Sequence, residues 1–355
     1  MDDERHQAAL DGVRGFAAFS VVLFHIGHWL DAPLASNSFL AVDLFFLLSG
    51  YVLTLAYDGR LAFDLPVGHF IVLRLVRLMP LVILGTMMSA VYVILRIHVK
   101  HDDLSISDLA TAVVLGAVDL PYLTAPLVIG GNQAFPLNGP QFSLFLEVVI
   151  NIVWASSAFL RNKWVACFIA IVCFGALATI GHLGGDTPET FISGFPRVGA
   201  SFLGGIAIFH LDRALAPSRW WSTTFWICCV VTLATFYAPK LPTAYQITWI
   251  ATVSPLLVLS GARTILRGRI RSAALFGGRL SYPIYILHYP VFVWINGVYQ
   301  IIIKRRDIAI EGAALMLIIT LVSFVVLKIY DEPVRNRINK WLKQSTASRI
   351  FRTAD

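Results

Sequence analysis

The stretch LDGVRGFAAFSVVLFHIGHWL, residues 10–30, has the length and apolar content of a membrane-crossing helix, yet it carries Asp11, Arg14, His25 and His28. A charged side chain at the centre of a bilayer costs about 3 kcal/mol on insertion scales, so such groups face a bundle interior or a wet cavity. Arg14 and His25 are eleven residues apart. That is three helical turns, which puts both on one face about 16 Å apart along the axis. Asp11 stands three residues before Arg14 and is placed to pair with it. His28 shares the face of His25. Taken singly, Arg14 also reads as an anchor at the membrane surface and His25 as a packed interfacial histidine.

The rest of the chain repeats this character. Of 355 residues, 57% are hydrophobic and only 14% charged, where a soluble domain has about a quarter charged. Apolar runs predict an all-α polytopic membrane protein of about ten transmembrane helices, near 10–30, 39–57, 78–98, 142–160, 164–182, 196–211, 221–238, 245–262, 280–303 and 309–330. A shorter apolar segment near 104–121 reads as a helix lying on the outer side or re-entering the membrane. The first residues lack a basic region and a small-residue cleavage site, so no cleaved signal peptide is expected. The transmembrane domain is expected over 1–335 and a cytoplasmic tail over 336–355, with 344–355 disordered.

The net charge is +7. With ten spans and a cytoplasmic N-terminus, 18 of the 28 Lys and Arg fall on the cytoplasmic side and 7 on the other. This is the bias that orients membrane proteins, and it places both termini in the cytoplasm. It also accounts for the basic balance without nucleic acid. The exception is KRRD at 304–307, an outside cluster that either meets an acidic headgroup or an anionic glycan or is simply tolerated late in the chain. The four cysteines, Cys167, Cys173, Cys228 and Cys229, lie in apolar runs without a CxxC, so neither a disulfide nor a metal is expected.

Further ionisable groups recur at span ends. Asp43 opens the second span, near His25 across a short hairpin, while Ser49 and Gly50 in that span read as helix-packing residues. Arg74 and Arg77 share a face before Pro80; they suit phosphate groups, or anchoring at the interface. In NGPQFSLFLEVV, Ser143 and Glu147 share a face just after Gln141. In RLSYPIYILHYPVF, Tyr285 and His288 share another, and a histidine in mid-span is a functional candidate.

Together these motifs resemble a known family. LDGVRGFAAFSVVLFHI, FFLLSGYVL, RLVRLMP, GPQFSLFLE and LSYPIYILHYPV, in this order from about residue 8 to 335, are similar to acyltransferase family 3, integral membrane enzymes that O-acylate bacterial surface glycans. The resemblance implies about ten core spans, a cytoplasmic acyl-CoA donor, acetyl-CoA by default, and a periplasmic glycan acceptor. It implies that Arg14 and His25 are the essential arginine and histidine, that Arg74 and Arg77 form the arginine pair, and that Ser143 and Glu147 are the motif serine and glutamate. Phe142 departs from the family's usual tryptophan, keeping a ring but losing the indole N–H. The aromatic residue that often follows Pro80 is replaced by Leu81 and Val82. Some members carry a further hydrolase-like domain, which is not expected in a chain of this length.

Acyl transfer to a sugar hydroxyl needs a base, a stabiliser for the oxyanion and a hold on the donor. Neutral histidine, of ordinary pKa about 6.5, serves as base. His25 is the expected base, oriented by Glu147 or Asp43, with direct attack on the thioester; the rival is an acyl-enzyme on Ser143 or His25. Arg14, Arg74 and Arg77 would hold the coenzyme A phosphates, and Gln141, Tyr285 and His288 would contact the acceptor. The expected location is the bacterial inner membrane, with membrane lipid around the chain. The alternative is a multi-span transporter or flippase of a glycan or lipid-linked substrate, although no internal repeat of the kind transporters show is visible.

Overall fold

The computed structural model describes residues 3–100, 103–302 and 308–352, and among them every regular element is helical. Thirteen helices follow in order: α1 (Asp3–Trp29), α2 (Ala41–Phe63), α3 (Val67–Lys100), α4 (Ile106–Ala117), α5 (Gln141–Ser156), α6 (Lys163–Ile180), α7 (Gly194–Ala214), α8 (Trp220–Tyr237), α9 (Thr243–Ala251), α10 (Val253–Ala262), α11 (Gly268–Ile302), α12 (Ile308–Val326) and α13 (Glu332–Arg352). A π-helical stretch, Leu327–Asp331, joins the last two. The KRRD cluster lies outside the described residues.

Seven helical segments among the described residues are long and apolar enough to cross a membrane: Ala8–Trp29, Ser38–Phe63, Val67–Val99, Lys163–Ile180, Phe191–Ala214, Thr243–Ala262 and Ala309–Leu342. Three of the ten expected spans fall short for separate reasons. α5 has 16 residues, about 24 Å of helix against a hydrocarbon core of about 30 Å. α8 is diluted by Ser and Thr, and α11 by arginines at its start and by Tyr, Pro, His and Asn further on. Apolar side chains such as Phe168, Ile171, Leu317 and Leu321 are exposed on α6 and α12, as lipid-facing residues are.

Several expected boundaries move. α3 begins at Val67, so Arg74, Arg77 and Pro80 lie within one helix rather than before it. α11 likewise starts twelve residues early and holds Pro283 and Pro290. The expected span 245–262 is broken at Thr252, whose φ of −126° and ψ of −65° leave the helical region. Pro255, three residues on, lacks the N–H that would have tied α10 back to that turn. The expected disordered end is instead helical as far as Arg352.

Two pairs of parallel helices position everything else. α1 runs beside α11 at a seam of small residues: Gly12 packs on Ala274, and a methyl added at Gly15 would lie 2.7 Å from the Gly277 carbonyl carbon. Close approach of this kind is how helices associate where no hydrophobic effect drives them together. From Gly15 and Gly277 both helices climb about three turns to His25 and His288, which meet there. α2 and α7 cross in the same way. An added methyl at Gly50 would stand 2.0 Å from the Phe202 carbonyl oxygen, and one at Gly205 would stand 2.2 Å from that of Leu47. Gly50→Ala should therefore push α2 from α7 and destabilise by about 1–3 kcal/mol. Gly59→Ala in the same helix has nothing within 4 Å to meet and should be neutral or stabilising by about 0.5–1 kcal/mol. Thermal unfolding of the two variants in detergent checks both signs.

The short helix expected near 104–121 is α4, capped by the Ser105 hydroxyl, which accepts from the Ser107 N–H. It folds back along α3 until Gly116 meets Thr86. Just beyond, Asp119 takes a φ of +59° and is buried.

Candidate functional site

The side chains singled out in the sequence gather in two places on the α1/α11 pair. The first is a cavity of about 670 Å³ bounded by the last turns of α1, the start of α2, the 133–142 segment, α7, α9 and α11; its polar lining includes His25, His28, Arg197, Lys240 and Tyr285. His25 sits between rings: its centroid is 5.0 Å from that of His288 and 5.7 Å from that of Trp29. Trp29 in turn stacks on Phe292.

His288 is fully buried. Its Nδ1 lies 2.7 Å from the Tyr285 carbonyl oxygen and 3.2 Å from that of Ile284. Two carbonyls can only accept, so Nδ1 carries the proton and Nε2 is left as a lone pair. That Nε2 has no hydrogen-bond partner among the described residues.

Neither expected carboxylate reaches His25. Asp43 and Arg197 are both buried and pair bidentately: Nε lies 3.0 Å from Oδ1, and one terminal nitrogen donates to Oδ2 at 2.8 Å. The guanidinium also donates to the Gly184 and Phe39 carbonyls, so one arginine ties the start of α2 to the loop before α7. Arg197 went unnoticed in the sequence as a site residue because it was counted among charges outside the spans. The signal was available: it stands in FPRVGASFL, inside an apolar run.

Glu147 belongs to the second place. Its Oε1 accepts from Arg74 at 2.7 Å and from the Ser49 hydroxyl at 2.8 Å. Arg74 retains a buried Nε without a partner among the described residues. Arg77 lies near Arg14, Arg74 and Arg335. Asp11, close to Arg279 and Arg77, bonds Arg14 at 3.5 Å, and Asp331 bonds Arg335 at 3.0 Å. Five arginines thus face three carboxylates, an excess of positive charge at this level of the bundle, with Arg77 and Arg279 reaching its surface. Arg14, Arg74 and Arg77 lie near one another. Ser49, Asp331 and Arg335 join them unexpectedly, the last two because the π-helical turn returns Asp331 to the buried side.

Between the two places, the Ser143 and Tyr285 hydroxyls bond each other at 2.6 Å, one donating to the other, and the hydroxyl that accepts is left to donate to the Pro140 carbonyl. Among the described residues no imidazole bonds Ser143. Gln141 turns away from the cavity: its amide donates to the Gly116 carbonyl at 2.7 Å and to Asp119 Oδ1 at 3.0 Å, so it fastens the tip of α4. Phe142, at the family's tryptophan position, lines the cavity and packs on Gly185. Among the described residues no cluster of His, Cys, Asp and Glu has the makings of a metal site.

A 155-residue segment is 41% identical to "Protein 2 in picA locus" of Rhizobium radiobacter, covering 41% of this chain and 79% of that protein. The chain is 25% identical over 339 residues to YrhL of Bacillus subtilis (strain 168), named as a proposed peptidoglycan O-acetyltransferase, covering 84% of this chain and 50% of YrhL. It is 23% identical over 330 residues to the O-acetyltransferase OatA of Staphylococcus aureus (strain NCTC 8325 / PS 47), covering 84% of this chain and 53% of OatA. The chain therefore spans about half the length of these two relatives. No solved structure matches it significantly. The family model for the acyltransferase domain of family 3 matches residues 7–328, nearly the whole chain, and the protein belongs to that family.

Proposed function

We propose that this protein is a membrane O-acyltransferase that moves an acyl group, acetyl in the simplest case, from acyl-CoA to a hydroxyl of a surface or periplasmic glycan. The observation that carries this reading is the arrangement along one helix: α1 presents Arg14 to an arginine cluster at one level and His25 to an open cavity about three turns further. The arginines suit the phosphates of coenzyme A, which guanidinium groups grip bidentately. The cavity suits a sugar. The names of YrhL and OatA support an O-acetyl group and, for YrhL, a peptidoglycan acceptor. On this reading the arginine cluster faces the cytoplasm of a bacterial inner membrane, the chain crosses ten times, and the cavity opens outward.

In the proposed reaction His25 accepts the proton of the acceptor hydroxyl as its oxygen attacks the thioester carbon. The tetrahedral oxyanion collapses, the C–S bond breaks, and the imidazolium returns the proton to the leaving thiolate. Arg197, which keeps one N–H uncommitted, is the donor within the cavity for the oxyanion or the sugar, because the one Tyr285 proton already goes to Ser143 or Pro140. Glu147 keeps Arg74 oriented instead of serving His25. Purified protein in detergent with acetyl-CoA and a surface-glycan extract should release free thiol and label the glycan. Arg74→Ala/Arg77→Ala should weaken acetyl-CoA binding. If the wild type binds no acetyl-CoA at any concentration, the acyltransferase assignment of the site fails.

Among the described residues the Ser143 side chain bonds Pro140 and Tyr285 and neither an imidazole nor a carboxylate. Ser143→Ala should therefore keep transfer within about tenfold of wild type, less than the 10²–10⁴-fold a lost acid–base group costs. Mass spectrometry of protein quenched with acetyl-CoA should find no acetyl group on Ser143. An acetylated Ser143 peptide would establish the two-step route instead.

A further inference from the structure

A second cavity, of about 550 Å³, lies between α1, α8, α10 and α11. Ala9, Gly12, Phe16 and Phe19 form its wall on α1, and Phe225, Trp226, Val230 and Leu233 face them from α8. Phe16 and His25 are nine residues apart, a rotation of about 180°, so this groove and the His25 cavity occupy opposite faces of α1. It is an elongated slot: Ala9 to Phe19 spans about 15 Å. Thr232 aside, its walls are apolar or glycine, and the Gly15–Gly277 seam leaves them without side-chain bulk at mid-length.

None of the lining residues is charged, but arginines flank one end. Leu266 and Ile270 line the groove, and Arg267, Arg269 and Arg271 interleave with them at the start of α11. Arg267 and Arg269 are exposed and Arg271 half-exposed; none of the three bonds a carboxylate among the described residues. Arg219 extends the same end, because α8 climbs with α1, from Phe225 at the level of Gly261 and Leu10 to Phe236 stacked on Phe16. At the other end, Phe19 and Leu233 have no arginine or lysine beside them in sequence. The Arg74–Glu147 cluster neutralises much of its own charge, whereas these arginines are left open.

We propose that this groove is a binding site for one anionic phospholipid, its acyl chain lying along Gly12, Gly15 and Phe16 and its phosphate held by Arg267, Arg269 and Arg271. Arginine grips a phosphate with two parallel N–H bonds, and basic groups at a membrane surface favour anionic lipid. A neutral lipid would fill the slot but leave the arginines unpaired. The chain of a long acyl-CoA is the competing occupant, and the position on the far face of α1 from His25 disfavours it. The site is independent of the proposed transfer reaction.

The test is native mass spectrometry of the purified full chain after incubation with equal amounts of phosphatidylglycerol and phosphatidylcholine of identical chains. The wild type should retain phosphatidylglycerol preferentially. Arg267→Gln/Arg269→Gln/Arg271→Gln should lose that preference, by about fivefold for each arginine removed, while still retaining lipid. Ala273→Trp, which fills the groove wall, should lose bound lipid of both kinds. Ile270→Trp replaces it if the first does not elute as the wild type does. Equal retention of the two lipids by the wild type overturns the proposal, as does an unchanged preference in the glutamine variant. Loss of preference in that variant with full retention in the tryptophan variants places the lipid elsewhere and overturns the groove. Displacement of phosphatidylglycerol by palmitoyl-CoA, but not by coenzyme A, assigns the groove to the donor chain and overturns it too.

Discussion

His25→Ala is expected to lower acyl transfer by about 10²–10⁴-fold, the range a lost general base commands, while leaving acetyl-CoA affinity where it was. The separation follows from geometry. The arginine cluster that would bind the donor phosphates lies about three turns from His25, so truncating the imidazole removes nothing from it. His25→Gln should be equally inactive, since glutamine fills the space without accepting the proton. His288→Ala should fall between: His288 presents a buried lone pair 5.0 Å away, ring to ring, from His25, and its loss would leave the base disoriented but present. The pair of measurements is thiol release under saturating acceptor and acetyl-CoA binding by calorimetry. A His25→Ala enzyme within tenfold of wild type would remove His25 from the chemistry. Lost donor binding would instead move the donor's acyl end, not the acceptor, to this imidazole.

How much of this was legible in the sequence depended on the range of the interaction. Arg14 and His25 share a face because of the helical period alone, and spacing found them. Arg74 and Arg77 were legible as a pair on one face and Glu147 as a single charge in apolar surroundings, but the Arg74–Glu147 contact was not, because contact across 73 residues of chain carries no local signature. The expected carboxylate for His25 failed for the same reason. Asp43 does open α2 beside the cavity, but its partner is set by where α7 docks, which depends on Gly50 and Gly205 meeting backbone. Helix ends failed where buried polar groups or prolines diluted an apolar run: α3 and α11 extend by about three turns past where hydropathy begins. The lipid-facing surfaces of α6 and α12 were the easiest to place, since apolar composition is all they need.

Arg197→Leu should be the most damaging single substitution for the fold, by about 3–5 kcal/mol, because it strands a buried charge. Asp43 would keep its place in the bundle with none of the three guanidinium contacts that now hold it. The Gly184 and Phe39 carbonyls would also lose their donor, at about 1–3 kcal/mol for each group left buried and unpaired. Arg197→Lys should rescue part of this, since an ammonium satisfies the charge but not the fork that reaches both carbonyls. The double variant Asp43→Leu/Arg197→Met should be markedly more stable than either single change, because an apolar pair leaves no charge stranded. The unfilled carbonyls would still hold it below the wild type. Thermal unfolding in detergent gives the ranking: wild type, then the double variant and Arg197→Lys, then Arg197→Leu. An Arg197→Leu protein that melts with the wild type would show the pair to be structurally idle. The double variant also separates two roles, since Arg197 borders the His25 cavity as well as holding α2 to α7. If it folds and still transfers acyl groups, Arg197 serves only the fold. If it folds and binds donor but transfers nothing, the guanidinium acts on the acceptor or the oxyanion, and the ion pair with Asp43 is what holds it there.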